Sequence, residues 1–245
     1  MAHTFLGLTN KLLRRLNEVE IEQSDFVAVR GVQALAKDAI NASIRYINTQ
    51  QFEWPFNAAT RTETMVVDQT EYDFPAALKV PKWDSFILLP DSTLSIYGYP
   101  LEKIERDQYL RYLKIDADNT EAGEGAAPRW VAPSQGFGFE VHPVPNETYD
   151  VYYEYFITVT DLDAYDDEPT IPELYTEAII QGGVYHMYMF RDNTEQADRA
   201  RTEVDKHIAN MRKILINTYD RIRSTMIPRT QSSAPIYDNF HFRSA

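Results

Sequence analysis

Apolar residues recur at three- and four-residue spacing near the start of the chain. Leu8, Leu12, Leu16 and Val19 follow that period with Leu13 beside them, which predicts a helix over 4–19. Asn17 to Asp25 is polar and breaks it. A second stripe, Val32, Leu35, Ala36, Ala39, Ile40, Ile44 and Ile47, predicts a helix from Gly31 to Gln50. "FEWPF" ends it, because Pro55 disfavours helix at the residue before it.

The pattern then changes period. "TETMVVDQTEYDFP" (62–75) reads as a hairpin, two β-rich runs around Asp68-Gln69. "WDSFILLP" (83–90) and "STLSIYG" (92–98) read as a second strand pair. "PLEKIERDQYLRYL" (100–113) predicts a short helix with Pro100 in its first turn, and "DADNTEAGEGAAP" (116–128) a loop. "RWVAP", "FGFEVHPVP" and "YDVYYEYFITVT" read as strands. The last is β-branched or aromatic apart from Asp150 and Glu154, which suits a central strand.

"DLDAYDDEPTIP" (161–172) is an acidic link, after which helical period returns. Leu174, Ala178, Ile179, Val184, Tyr185 and Met189 mark a helix over 172–190. Gly182-Gly183 sits in its middle, where each Gly costs about 1 kcal/mol against Ala, so close approach of a neighbouring helix is expected there. Asn193, with Gln196 three residues on, has the spacing of a helix start. Ala197, Ala200, Val204, Ile208, Met211 and Leu215 line one face of the helix that follows. Two helices at each end of a β-rich middle predict an α+β protein. Its expected form is a discontinuous four-helix bundle (1–58 plus 168–216) with an inserted antiparallel β domain (59–167) and an extended C-terminal tail (217–245).

Composition narrows the chemistry. There is no cysteine among 245 residues, so disulfides, thiol nucleophiles and Cys-based zinc sites are excluded. Net charge is −13, and the only Lys/Arg-rich run, "KLLRRL" at 11–16, belongs to an amphipathic helix. That argues against gripping duplex DNA or an anionic membrane, and fits a wall that nucleic acid slides past. No stretch approaches the ~20 apolar residues of a membrane span, and "MAHTFLGLTNKLLRRL" has no signal-peptide h-region. The 16 tyrosines suit either a Tyr-rich sheet or protein interfaces.

No motif selects a reaction. The five histidines, His3, His142, His186, His207 and His241, contain no i, i+4 pair, although His186 and His207 are placed to face each other across the last two helices. "EAGEGAAP" lacks the Lys-Ser/Thr of a phosphate loop, and the glycines of "GFGFE" suit a bulge or close backbone approach. The acidic runs at 116–121 and 161–168 lack the Gly and Glu that a calcium loop places at fixed positions, so they read as solvated loops. No metal, cofactor or catalytic residue is expected.

The order of segments "LLRRLNEVEI", "FNAATRTETMVVDQTEYDFP", "PLEKIERDQYL", "PRWVAP…FGFEVHPVPNETYDVYYEYF" and "TDLDAYDDEPTIPELYTEAIIQGGVYHMYMFRDN" resembles the head-to-tail adaptors (tail tubular protein A group) of short-tailed bacteriophages. The resemblance runs to about residue 216. Its most telling parts are His142–Tyr155 and the run from Asp167 to Tyr175, both patterns of sheet and helix start. It implies a structural virion protein, not an enzyme. It implies a homo-oligomeric ring of twelve between the portal protein and the tail nozzle protein, assembled in the host cytoplasm, with double-stranded DNA passing through its channel. Another virion component, a tail-tube or receptor-binding protein, and a glycan-degrading tail enzyme are the alternatives.

From Tyr219 onward the chain is locally basic, with Arg221, Arg223, Arg229 and Arg243 against Asp220 and Asp238. Such a segment builds no core of its own. It suits docking as an extended strand with alternate aromatics in pockets. Ile236, Tyr237, Phe240 and Phe242, with Arg229 and Arg243, are the expected anchor on a partner chain.

Overall fold

The computed structural model describes residues 3–89, 98–119, 121 and 125–216. It is a mixed α and β protein whose described residues form six α-helices and nine strands. The C-terminal segment predicted as an extended tail, and most of the strand predicted at 92–98, lie outside the described residues.

Four helices share one apolar cluster. They are α1 (Phe5–Arg15), α2 (Val32–Gln50), α5 (Thr176–Phe190) and α6 (Thr194–Leu215). Most positions of the stripes read from the sequence line it: Leu8 and Leu12, Ile40 and Ile44, Ile179 and Val184, Val204 and Ile208 are all buried, whereas Val32, Leu174 and Met189 are exposed. Helix α5 touches all three of the others. Its glycine pair explains how. A Cβ on Gly182 would lie 2.1 Å from Ser43 Oγ and 2.8 Å from Ser43 Cβ, and one on Gly183 would lie 2.9 Å from Leu12 Cδ2. The expected close approach is therefore present, and Ser43 completes it by donating its hydroxyl to the Ile179 carbonyl at 2.8 Å.

Helix α1 ends at Arg15, four residues short of the predicted limit, and Val19 lies outside it. The stop is chemical. Asn17 adopts a left-handed φ of 57°, the Glu18 N–H donates to Leu13 at 2.9 Å and the Asn17 N–H to Arg14 at 3.1 Å. That is the Schellman arrangement, which Asn tolerates better than most residues. Helix α5 ends in the same way, with Asp192 at φ 55° and Asn193 bonded back to Tyr188 at 3.0 Å. Asn193 then caps α6 by accepting the Gln196 N–H.

The middle of the chain forms two sheets. One has the order β1 (Ala58–Thr64), β9 (Asp150–Ile157), β4 (Ile87–Leu88), β5 (Tyr99–Pro100), with β3 (Leu78–Pro81) also on β9. The other has the order β2 (Glu71–Asp73), β8 (Gly138–His142), β7 (Trp130–Pro133), β6 (Glu102–Lys103). Strand β9 is central, as its composition predicted. The hairpin expected at 62–75 does not form: β1 pairs β9 and β2 pairs β8. A long strand with a strong apolar face outcompetes the local turn, and the Tyr72 hydroxyl instead ties the loop by donating to Gln69 at 2.8 Å. One pairing, β6 with β7, is parallel rather than antiparallel.

Facing side chains of the two sheets meet in an aromatic cluster. Phe86 stacks on Tyr153 at 4.8 Å, and Phe74 and Phe139 close around them. Part of the aromatic content is therefore sheet core. Burial pushes the Tyr153 hydroxyl pKa up to about 12. Gly138 lets β8 approach β2, where a Cβ would fall 2.2 Å from the Tyr72 carbonyl.

The helix predicted at 100–113 starts later and runs further. Pro100 lies in β5, and the helical segment comprises α3 (Arg106–Gln108), a π-helical stretch Tyr109–Leu113 and α4 (Lys114–Asn119). The loop predicted from 116 thus begins as helix. The cause is an anchor at the first turn, where Arg106 reaches Glu140 at 3.0 Å and the Pro133 carbonyl at 2.7 Å.

Gly182→Ala decides whether propensity or packing governs α5. Propensity favours Ala by about 1 kcal/mol, whereas overpacking costs about 1–3 kcal/mol. Urea denaturation should show net destabilisation, and a Ser43→Gly background should recover part of it.

Candidate interaction surface

Exposed apolar side chains, and the polar contacts holding them, are the features of the surface with the means to meet a partner. Three groups stand out.

The first lies where the α1–α2 connection meets the end of α5. Ile21 and Phe26 turn inward and are buried, while Val19 and Val27, at 78% and 89% exposure, point outward. The connection is pinned from several sides. Asn10 exchanges two hydrogen bonds with the Ile21 backbone at 2.8 and 2.9 Å, Gln33 donates to the Val19 carbonyl, and Lys37 lies 4.1 Å above the Phe26 ring. Arg191 pairs with Glu18 at 2.5 Å, which brings Met189 and Phe190, both exposed, to the same end.

The second is the helical segment 106–119. Tyr109 is fully buried on the outer face of the second sheet, beside Glu140, whereas Leu110, Tyr112 and Ile115 are exposed. Burial, and then the neighbouring Glu140 carboxylate, raise the Tyr109 pKa well above its ordinary value. Glu140 is itself buried, and Arg106 neutralises it. The ion pair of buried Glu140 with half-buried Arg106, and one ring, therefore hold a segment whose Leu110, Tyr112 and Ile115 face solvent.

The third is a groove of about 600 Å³ between α1 and the start of α5, lined by Lys11, Arg14, Arg15, Leu174, Thr176, Glu177 and Ile180. Arg15 and Glu177 form a two-pronged pair at 2.6 and 3.1 Å, and Leu174 is 79% exposed. The acidic link frames its neighbourhood as a folded cap. The carbonyls of Asp167 and Tyr165 accept the Phe5 and Leu6 N–H groups at 2.7 and 3.0 Å, satisfying two orphan donors of α1. The Asp167 carboxylate accepts the Asp163 and Ala164 N–H groups, both at 2.8 Å, and these bonds hold its pKa below the ordinary carboxylate value. Asp167 thus serves its own loop.

Polar contacts also tie the two ends of the β-rich middle to the helices. Asn57, buried, donates to Asn48 and accepts from Thr170 at 2.9 Å. Asn41 exchanges two hydrogen bonds with the Leu162 backbone at 2.9 and 3.0 Å. No periodicity rule finds these asparagines; their signal is a polar residue interrupting, or flanking, an apolar stripe.

Of the sequence-predicted site residues, Arg229, Ile236, Tyr237, Phe240, Phe242 and Arg243 all lie outside the described residues, as does His241. His3 is buried and bonded to the Ile171 carbonyl at 2.7 Å and to Thr176 at 2.9 Å. His142 stacks on Trp130 at 5.7 Å. Burial and then the charge of Arg45 lower the His186 pKa from its ordinary 6.5. Among the described residues no group of three or more His, Asp or Glu side chains is placed to hold a metal ion, and no helix is long and apolar enough to cross a membrane.

A family described as SU10 adaptor protein matches residues 3–231. No curated protein matches the chain.

Two outcomes are expected here. Arg106→Met leaves Glu140 buried without its cation, and should cost about 3 kcal/mol and speed amide exchange across 106–119; replacing both residues by apolar ones should cost less. Because the folded chain binds the His186 proton less readily than the unfolded chain, the stabilising contribution of neutral His186 is present above pH 6.5 and is lost as pH falls below it. His186→Gln should flatten that part of a stability–pH curve measured by urea denaturation.

Proposed function

The chain belongs to the SU10 adaptor protein family, and from that premise we propose that it is a structural adaptor of a phage neck, a ring component between the portal and the tail nozzle. The observation that carries this reading is the extent of the match, residues 3–231 of 245. It covers both helical segments, the β-rich middle and part of the basic tail.

The finer organisation follows from that role. Residues 1–58 and 168–216 act as one helical bundle, 59–167 as an inserted β unit and 217–245 as an arm. A ring joins unlike faces of adjacent copies, which calls for apolar anchors at more than one place. Val19, Val27 and Phe190 at one end, and Leu110, Tyr112 and Ile115 on the helical segment, supply candidates. Twelve copies enclose a channel for double-stranded DNA. The net charge of −13 makes its wall repel phosphates rather than hold them, so the genome slides through during ejection. The protein acts as structure in the virion neck and carries out no catalysis.

The arm anchors to a partner chain through Ile236, Tyr237, Phe240 and Phe242, with Arg229 and Arg243 as charged contacts. Buried aromatic anchors commonly carry about 2 kcal/mol or more each. Tyr237→Ala, Phe240→Ala and Phe242→Ala together, or removal of 230–245, should therefore weaken binding to purified portal by at least about tenfold in a sedimentation assay. Unchanged binding overturns the anchor.

A further inference from the structure

Strand β1 is the outermost strand of its sheet and carries seven residues, Ala58–Thr64. It pairs β9 along its whole length with no bulge. The direction of its backbone groups follows from the ladder. Beyond the Thr64–Asp150 pair, the Met65 N–H donates to the Tyr149 carbonyl at 2.6 Å. Antiparallel residues alternate between bonded and non-bonded pairs, so Glu63, Arg61 and Ala59 bond to β9. Thr64, Thr62, Thr60 and Ala58 aim their N–H and C=O groups away from it. Strand β9 agrees, since the Asp150 and Glu154 carbonyls, opposite Thr64 and Thr60, accept the Leu89 and Lys82 N–H groups on its other side.

Among the described residues nothing bonds to the outward backbone groups of Thr60, Thr62 and Thr64, while the Ala58 N–H is taken by the Pro55 carbonyl. Of the usual edge protections it has no proline, no lysine and no bulge; its only charges are one arginine and one glutamate that neutralise each other. Its outward residues are a row of three threonines, all exposed. Between them sit Arg61 and Glu63, half-buried and paired at 2.6 Å.

We propose that this edge pairs with β1 of a second copy, antiparallel and about a two-fold axis through Thr62. In that register Thr62 faces Thr62 of the second copy, and Thr60 faces Thr64 of the second copy in both directions. These three pairs each exchange two backbone hydrogen bonds. Arg61 falls opposite Glu63 of the second copy, and Glu63 opposite its Arg61, at the non-bonded positions where side chains approach most closely. Moving the axis by one residue sets Arg61 against Arg61 or Glu63 against Glu63, so the charges select the register. A two-fold contact is closed. It therefore concerns the free protein rather than the ring, and its failure leaves the adaptor reading untouched.

The full chain, free of cysteine, allows a clean test. Arg61→Cys and Glu63→Cys variants, mixed and oxidised, should form a disulfide-linked dimer, while each alone should not; the second Arg61–Glu63 contact is retained in the mixture. Thr62→Pro removes only an outward N–H, so sedimentation should show a concentration-dependent dimer for the parent and for Thr62→Val but a monomer for Thr62→Pro, with unchanged circular dichroism. A parent that stays monomeric, or a mixture that gives no cross-link, overturns the proposal. So does protection of the Thr60, Thr62 and Thr64 amides that disappears on removal of 217–245, because the chain's own tail then holds the edge.

Discussion

The distance of closest approach between α5 and its neighbours is the constraint on which the rest of the helical core depends. Gly182 and Gly183 bring α5 against Ser43 and Leu12, closer than any side chain would permit. That contact joins chain segments separated by more than a hundred residues. It makes α5 the common neighbour of α1, α2 and α6, and the intrinsic helix penalty of two glycines is offset by the packing it allows. With α2 and α5 in register, Asn57 reaches Thr170 and Asn41 reaches Leu162. The β-rich middle thus leaves and re-enters the helical core at two neighbouring, hydrogen-bonded points. A connection of this length costs little closure entropy once its ends are held together, because that cost grows only slowly with length.

Legibility followed the range of the interactions involved. Helical stripes, the glycine contact and the Asn193 cap depend on residues a few positions apart or on one helix face, and they stand in the sequence. The central place of β9 was legible from eight residues of nearly unbroken strand formers. What local pattern missed was partner choice: the runs at 58–64 and 71–73 flank a turn yet belong to different sheets. The start of the 106–119 helix was missed because Arg106 finds its acceptors 27 and 34 residues away. The end of α1 was partly legible, since Asn17 is a residue that tolerates left-handed backbone, but the apolar period running on to Val19 masked it.

The candidate surface was the least legible part. Val19 looks like continuation of the α1 stripe, and only the inward turn of Ile21 and Phe26 leaves it and Val27 outside. Buried polar contacts decide which apolar side chains remain free to meet a partner. Asn10 fixes the α1–α2 connection and Arg106 fixes the projecting helix. In a protein proposed to work by contact, this asparagine and this ion pair matter as much as the exposed valines, because they hold the surface in one shape and lower the entropy lost on binding.

The central claim, that this chain is a neck adaptor organised around that helical core, is tested most directly by native mass measurement of the full chain mixed with portal protein from the same phage. The account predicts one portal assembly carrying a closed ring of twelve copies. Portal and chain masses that remain separate at concentrations where both are folded would contradict it.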